Sequence, residues 1–192
     1  MHKVGVLALQ GDFEAHARAL ARAGAAPVEV RSASDLDDLA GLVIPGGEST
    51  TMLKLIHAEG MMEPLVEFGK KRPIFGTCAG AILVASQVSN PPQESFGLMD
   101  IAVERNAYGR QIDSRVAQLK PEPEFNQRTA PGDLEAVFIR APIIRRIGPQ
   151  ARVLATYQGD PVLVEQGRHL VATFHPELTS DARVHQLFLS KL

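Results

Sequence analysis

Short apolar runs alternate with longer amphipathic ones through the first half of the chain. "KVGVLAL" (3–9), "PVEVR" (27–31), "GLVIP" (41–45) and "PIFGT" (73–77) read as strands. Between the first two, "FEAHARALARAG" is rich in Ala, Leu and Arg and ends at Gly24, a suitable C-cap, so it reads as a helix. "DLDDL" (35–39) reads as a helical turn, and residues 50–71 carry a helical pattern broken near Gly60 and Pro64. "AGAILVASQV" after the fourth strand reads as a further helix. Strands alternating with helices imply βαβ units and a parallel sheet covered on both faces.

The second half has another rhythm. Residues 97–106, 134–141, 151–158, 161–167 and 169–175 read as strands, several joined by tight turns such as "QGD" and "QGR". Antiparallel pairs are therefore expected at one edge. "TSDARVHQLFLSKL" (179–192) reads as a closing helix with Thr179 or Ser180 at its N-cap, and residues 89–95 and 120–133 read as loops. The predicted fold class is α/β: a three-layer, open, mostly parallel sheet with helices on both faces and antiparallel strands at one edge. No repeat or linker divides the chain, so residues 1–192 are expected to form one domain.

Composition narrows the class of function. A net charge of −2 leaves no excess of Lys and Arg to neutralise phosphates, which argues against a nucleic-acid grip. The longest nearly apolar stretch, 73–85, falls short of the roughly 20 residues that span a bilayer. "VGVLALQ" is too short for a signal peptide. With a single cysteine there is no internal disulfide framework, so a reducing, cytoplasmic setting without membrane attachment is expected.

That cysteine has a telling place. Ligands and nucleophiles in open parallel sheets gather at the carboxyl ends of strands. Cys78 follows the fourth predicted strand within Gly76-Thr77-Cys78-Ala79-Gly80, the G-x-C-x-G form of a nucleophile elbow. Glycines flank it because a Cβ at either side of so sharp a turn would clash. A helix start at Ala79 favours negative charge on the thiol and points the Ala79 amide toward an oxyanion. The competing reading is a buried structural cysteine.

A cysteine nucleophile needs a base and an orienter. Of six histidines, His175 in "TFHPEL" is the most informative. Pro176 biases it to an extended conformation, so Glu177, two residues on, would project to the same side and orient the imidazole. Alternatively, His175 simply ends a strand. His16, His57 and His185 fall in helical stretches and read as surface or packing residues. His169 and His175, roughly 20 Å apart in an extended strand, could not share an ion, and no other cluster has ligand spacing. No metal site is expected.

Taken together, "PGGEST", the elbow and "HPE" resemble the class I (triad) glutamine amidotransferases, whose fold is flavodoxin-like. "LALQGDFEAH", "PGGESTTM", "GTCAGAI", "ERNAYGRQIDS", "FIRAP" and "FHPELTSD", in order along residues 7–181, resemble one branch. It comprises the glutaminase subunits of ribose-5-phosphate-dependent pyridoxal 5′-phosphate synthases. The resemblance implies that Cys78 attacks the side-chain amide of L-glutamine, His175 moves the proton and Glu177 orients His175. It further implies an oxyanion hole from the amides of Gly47 and Ala79. Substrate contacts would come from Gly46, Gly47, Glu48, Ser49, Arg105, Ile139 and Arg140. Gln10 would couple partner docking to formation of the hole, its side-chain amide being able to donate there. Tyr108 stands where relatives often carry Phe. The implied partner is a (β/α)8-barrel synthase, with up to twelve of each subunit in the complex, and no cofactor is expected on this chain.

Three other readings share parts of this pattern. One is a glutaminase serving another pathway, such as imidazole glycerol phosphate or anthranilate synthesis. Another is a stand-alone γ-glutamyl hydrolase or cysteine peptidase. The third is a binding module without catalysis, which a decayed triad would favour. "ERNAYGRQ" and "FIRAP" favour the vitamin B6 branch.

Overall fold

The structure is a computed structural model and describes residues 1–107 and 114–192. Tyr108 and the rest of the 108–113 stretch of "ERNAYGRQIDS" lie outside the described residues. The first half runs β1 (Lys3–Leu7), α1 (Phe13–Ala23), β2 (Ala26–Val30), β3 (Gly41–Ile44), α2 (Ser49–Ala58), α3 (Met62–Lys71), β4 (Ile74–Thr77) and α4 (Ala79–Val84). There follow β5 (Ala85–Ser89), β6 (Met99–Glu104), β7 (Ser114–Leu119), α5 (Pro123–Arg128), β8 (Leu134–Ile139) and β9 (Ile143–Ile147). The chain closes with β10 (Arg152–Tyr157), β11 (Asp160–Gln166), β12 (His169–Ala172) and α6 (Arg183–Leu189).

The main sheet has the order β10-β11-β12-β4-β3-β1-β2. Pairing is parallel from β2 to β12 and antiparallel along β12-β11-β10, so the expected antiparallel edge is present. Alternate residues of each parallel strand feed opposite faces. Leu42 and Ile44 enter a core shared with Met52, Ile56, Leu65 and Leu83 of α2, α3 and α4. Val43 between them enters a second core with Leu20 of α1 and Val184, Leu187 and Phe188 of α6. Strands buried on both faces read as continuous apolar runs, which is why "GLVI" is so uniform. The result is helices on both faces of a mostly parallel sheet.

Several expectations require correction. The helix read over "AGAILVASQV" stops at Val84, and residues 85–89 become β5, paired in parallel with β6. This polar stretch has no strong local preference, so long-range pairing with β6 decides it. The strands read at 97–106 and 134–141 do not join the main sheet. They form two small sheets, β5-β6-β9 and β7-β8. Strands β7 and β9 were not anticipated. The loop read at 120–133 holds α5, which has Pro123 in its first turn, where a missing N–H does no harm. For the same reason Pro64 does not break α3, and the break lies at Glu59–Met61, where Gly60 has φ 64°. The last helix is capped by Ala182, not by Thr179 or Ser180. The helical turn read at 35–39 is a 3-10 turn over Ala33–Leu36. Among the described residues, no helix is long and apolar enough to cross a membrane.

Buried histidines make the fold acid-sensitive. His169 accepts a 3.1 Å hydrogen bond from the Ile74 amide through Nδ1. Burial, with help from Arg168 and Lys191, lowers its pKa from 6.5 to about 4. Burial also lowers His185 to about 3 and His16 well below 6.5. The unfolded chain takes up these protons first, so stability is full above pH 6.5 and is lost as pH falls toward 4. About 3 kcal/mol of that loss is expected from His169, or roughly 9 °C in melting temperature. Thermal melts of His169→Asn, which retains an acceptor but does not titrate, should show a correspondingly flatter acid limb. An unchanged limb would rule His169 out as a contributor.

Candidate active site

The carboxyl ends of β1, β3, β4 and β12 converge on one rim of the sheet, the place such folds reserve for ligands. β4 runs through Thr77 straight into α4, and Cys78 occupies the corner. Its backbone has φ 50° and ψ −107°, a strained region for any residue with a Cβ. The strain is held by neighbours: the Cys78 amide donates to Ala172 O at 2.8 Å, and its carbonyl accepts from Ala81 at 3.0 Å. A Cβ on Gly80 would collide with the carbonyl oxygen of Ile44, so only glycine lets α4 start this close to β3. Cys78 is buried but touches the cavity, with Sγ 4.0 Å from Ile139 O. As the first residue of α4, Ala79 has an amide with no intrahelical acceptor.

His175 reaches the same corner from the end of β12. Its amide donates to Val137 O of β8 at 2.8 Å, which fixes its height above the sheet. The strand ends at Ala172, earlier than expected, and His175 itself is extended with φ −110° and ψ 85°. Glu177 is not in an extended strand, because Pro176–Leu178 forms a 3-10 turn. That turn still brings Glu177 Oε1 to 2.7 Å from His175 Nδ1. Burial alone would lower the His175 pKa. Hydrogen bonding to Cys78 and Glu177 and the attraction of their negative charge outweigh burial and raise it to about 10.

The glycine turn after β3 forms the opposite wall. Gly46 O accepts from the Asp12 amide at 3.4 Å, and the Glu48 amide donates to Gln10 Oε1 at 3.1 Å. Gln10 thus meets this turn through its side-chain oxygen, as an acceptor. Gly47 has φ 150° and packs its Cα against Gln10, which leaves no room for a side chain.

The Glu48 carboxylate caps α2, accepting from Thr51 N at 2.7 Å and Thr50 N at 3.2 Å. Burial opposes its charge, but these bonds hold its pKa below the usual carboxylate range. Ser49 Oγ donates to Gln93 Oε1 at 3.1 Å. Arg105 donates to Thr50 Oγ1 at 2.6 Å and lies 3.6 Å from Glu48. Arg140, with φ 44°, stands exposed at the mouth.

These elements enclose a cavity of about 410 Å³, a size suited to a small molecule. Gln10, Gly46, Gly47, Glu48, Ser49, Cys78, Ala79, Arg105, Ile139, Arg140 and His175 all line it, with Asp12, Ile82, Asn106 and Pro142. Glu177 lies behind His175. Among the described residues, no three His, Cys, Asp or Glu side chains are grouped as metal ligands.

Sequence reasoning missed two groups. Gln93, in a stretch read only as a loop, holds Ser49. His16 is fully buried, 2.9 Å from Thr77 Oγ1 and 3.3 Å from Glu177 Oε2. The signal for His16 was its position on the inward stripe of α1 beside Ala19 and Leu20. His185 is likewise buried and lies 3.0 Å from His16 Nδ1. His57 takes the surface alternative, paired with Glu94, and His16 and His185 the packing one.

Comparison with known proteins agrees with this arrangement. A pyridoxal 5′-phosphate synthase subunit PdxT from Solibacter usitatus is 70% identical over 192 residues, covering all of both chains. Another from Koribacter versatilis is 54% identical, covering 97% of this chain and 94% of that one. A crystal structure described as a glutamine amidotransferase superposes with a TM-score of 0.89 at 44% identity, over 98% of this chain and 97% of the other. The profile of the SNO glutamine amidotransferase family matches residues 6–192. Similarity of this depth and extent fixes the lineage, and the chain belongs to the SNO glutamine amidotransferase family.

Proposed function

We propose that this chain is the glutaminase subunit of a pyridoxal 5′-phosphate synthase. It hydrolyses L-glutamine to L-glutamate and ammonia and passes the ammonia to a synthase subunit. The observation that carries this reading is the strained Cys78 corner facing a buried His175–Glu177 pair with a 2.7 Å hydrogen bond. The 70% identity to a synthase subunit supports the choice of pathway.

The chemistry follows from the positions. The Cys78 sulfur attacks the side-chain amide carbon of glutamine, and the carbonyl electrons move onto oxygen. Amides of Gly47 and Ala79 receive that oxyanion. His175, which holds the proton taken from the Cys78 thiol, gives it to the nitrogen, which leaves as ammonia. The carbonyl re-forms as a glutamyl thioester. Water then attacks it, His175 takes the water's proton, and the sulfur leaves as glutamate is released. Glu177 holds the imidazole in the tautomer with Nε2 toward the sulfur throughout.

Glu48, Ser49, Arg105, Ile139 and Arg140 are the proposed walls for the α-amino and α-carboxylate ends of glutamine. Arg105 is the best placed to bind a carboxylate, because its fork can donate two parallel bonds. Arg105→Ala should raise KM for glutamine by roughly 10- to 100-fold while kcat changes far less. Steady-state kinetics on glutamine decide this, and an unchanged KM would remove Arg105 from the substrate site.

Residues 1–192 act as one glutaminase domain in this proposal, in the cytoplasm, without a bound cofactor. The partner is a (β/α)8-barrel synthase that carries up to twelve glutaminase subunits, and Gln10 links its docking to the Gly46–Gly47 turn. Mixing the chain with its cognate synthase, the sugar phosphates and glutamine labelled at the amide nitrogen tests the whole reading. Label in the pyridine ring of the product is expected, even in excess unlabelled ammonium. Glutamate release without label in the product would remove the pathway.

A further inference from the structure

Glu177 is the hinge of the site, and its two oxygens are in different circumstances. Oε1 accepts from His175 at 2.7 Å. Oε2 is buried and makes no hydrogen bond of ordinary geometry among the described residues. A carboxylate oxygen out of water needs a donor turned toward it. The group facing it is Nε2 of His16, 3.3 Å away on α1. The same nitrogen is 2.9 Å from Thr77 Oγ1, on the residue just before Cys78.

The tautomer of His16 follows from its other side. Burial is the main reason His16 stays neutral, and the neighbouring imidazoles of His185 and His175 further disfavour a charge on it. It therefore carries one N–H. Its Nδ1 lies 3.0 Å from Nε2 of His185, so one of these must donate to the other. If His16 Nδ1 donated, its Nε2 lone pair would face the lone pairs of Glu177 Oε2. If His185 donates, Nε2–H of His16 lies between Thr77 Oγ1 and Glu177 Oε2. Of the two imidazoles, this second arrangement leaves unpartnered only His185 Nδ1, a neutral acceptor, and turns an N–H rather than a lone pair toward Glu177, so it is much the less costly.

We propose that His16 is a positioning residue of the glutaminase triad: its Nε2–H supports the second oxygen of Glu177, and so fixes His175 against Cys78. The inference rests on the glutaminase reading above. It extends the chain Cys78–His175–Glu177 through His16 to His185 on α6, and so ties α1 to the triad. The same helix is fastened to that turn by Arg22, which donates to Thr179 O at 3.3 Å. The titratable groups facing His16 are Glu177 and His175 around the 3-10 turn and His185 from α6. Arg22 acts on His185 from α1 itself.

Two isosteres separate positioning from packing. His16→Gln places its amide where Nε2 was and can still donate to Glu177. His16→Asn reaches only the Nδ1 position, so it can meet His185 but leaves Glu177 unsupported. Both remove the ring and should lower the melting temperature by similar amounts. With the cognate synthase present, His16→Asn should lower kcat by at least about 10-fold with KM little changed, and shift the alkaline limb of the pH profile to lower pH. His16→Gln should stay within about 3-fold of wild type. In a Glu177→Gln background, His16→Asn should lower kcat no further, because it acts through Glu177. Equal effects of the two substitutions, or a full additional loss in the Glu177→Gln background, would overturn the proposal. Wild-type chain that releases no glutamate would instead indict the glutaminase reading, so the two failures are distinguishable.

Discussion

Replacing Cys78 by alanine should lower glutamate release by about 10⁴-fold or more, the scale on which loss of a covalent nucleophile is felt. This chain has a single sulfur nucleophile of its kind, since Cys78 is the only cysteine. No other group in the cavity can form a thioester. The substitution should leave the fold nearly intact. Alanine keeps the Cβ and the amide that bonds Ala172 O at 2.8 Å, and it inherits the φ of 50° with the same strain. A melting temperature within a few degrees of wild type, with activity gone, is the expected pair of results. Residual release within about 10-fold of wild type would mean that the sulfur is not the nucleophile.

Gly46→Ala is expected to have the next largest effect, for a steric reason. A Cβ on Gly46 would lie 2.6 Å from Cε1 and 3.2 Å from Nδ1 of His175, and 3.3 Å from the Cβ of Cys78. The first is far inside ordinary contact and the other two are tight, so something must move. The imidazole is the softest of the neighbours and can rotate away, which breaks its 2.7 Å bond to Glu177. A displacement near 1 Å at a reacting group costs on the order of 100-fold, and kcat should fall by at least that. Stability should fall only modestly. Gly80→Ala is the contrasting case, because its new Cβ would strike the backbone carbonyl of Ile44, which cannot rotate aside. There the melting temperature should drop sharply and activity be lost along with the fold. Kinetics and thermal melts of the two variants side by side check this. Gly46→Ala with wild-type kcat would contradict the close packing of the glycine turn on His175.

Some of this site could be read from local pattern. The elbow was legible because strand, glycines and helix start coincide around Cys78 within a few residues. "HPE" was legible because Pro176 fixes its neighbour locally, although the turn that follows delivers Glu177 by a different backbone path than extension. Other parts depend on contacts between distant segments. His16 meets Glu177, 161 residues later in the chain, and only the packing of α1 against the turn brings them together. Gln93 had no pattern around it, and its meaning comes from Ser49. β5 was hidden because "ASQVS" has no strong preference until β6 pairs with it. β7 was hidden because its burial alternates out of step with its polarity: Val116 is 64% exposed while Arg115 is half-buried. Glu48 was legible as part of the glycine turn, but not as the cap of α2.

The most direct measurement is glutamate release from glutamine by the wild-type chain, alone and with the cognate synthase subunit. Release that rises when the synthase is added, and disappears with Cys78→Ala, is the result expected of a glutaminase that works for a partner. No release in either mixture would contradict the account at its centre, leaving Cys78, His175 and Glu177 well placed for a reaction that this chain does not perform.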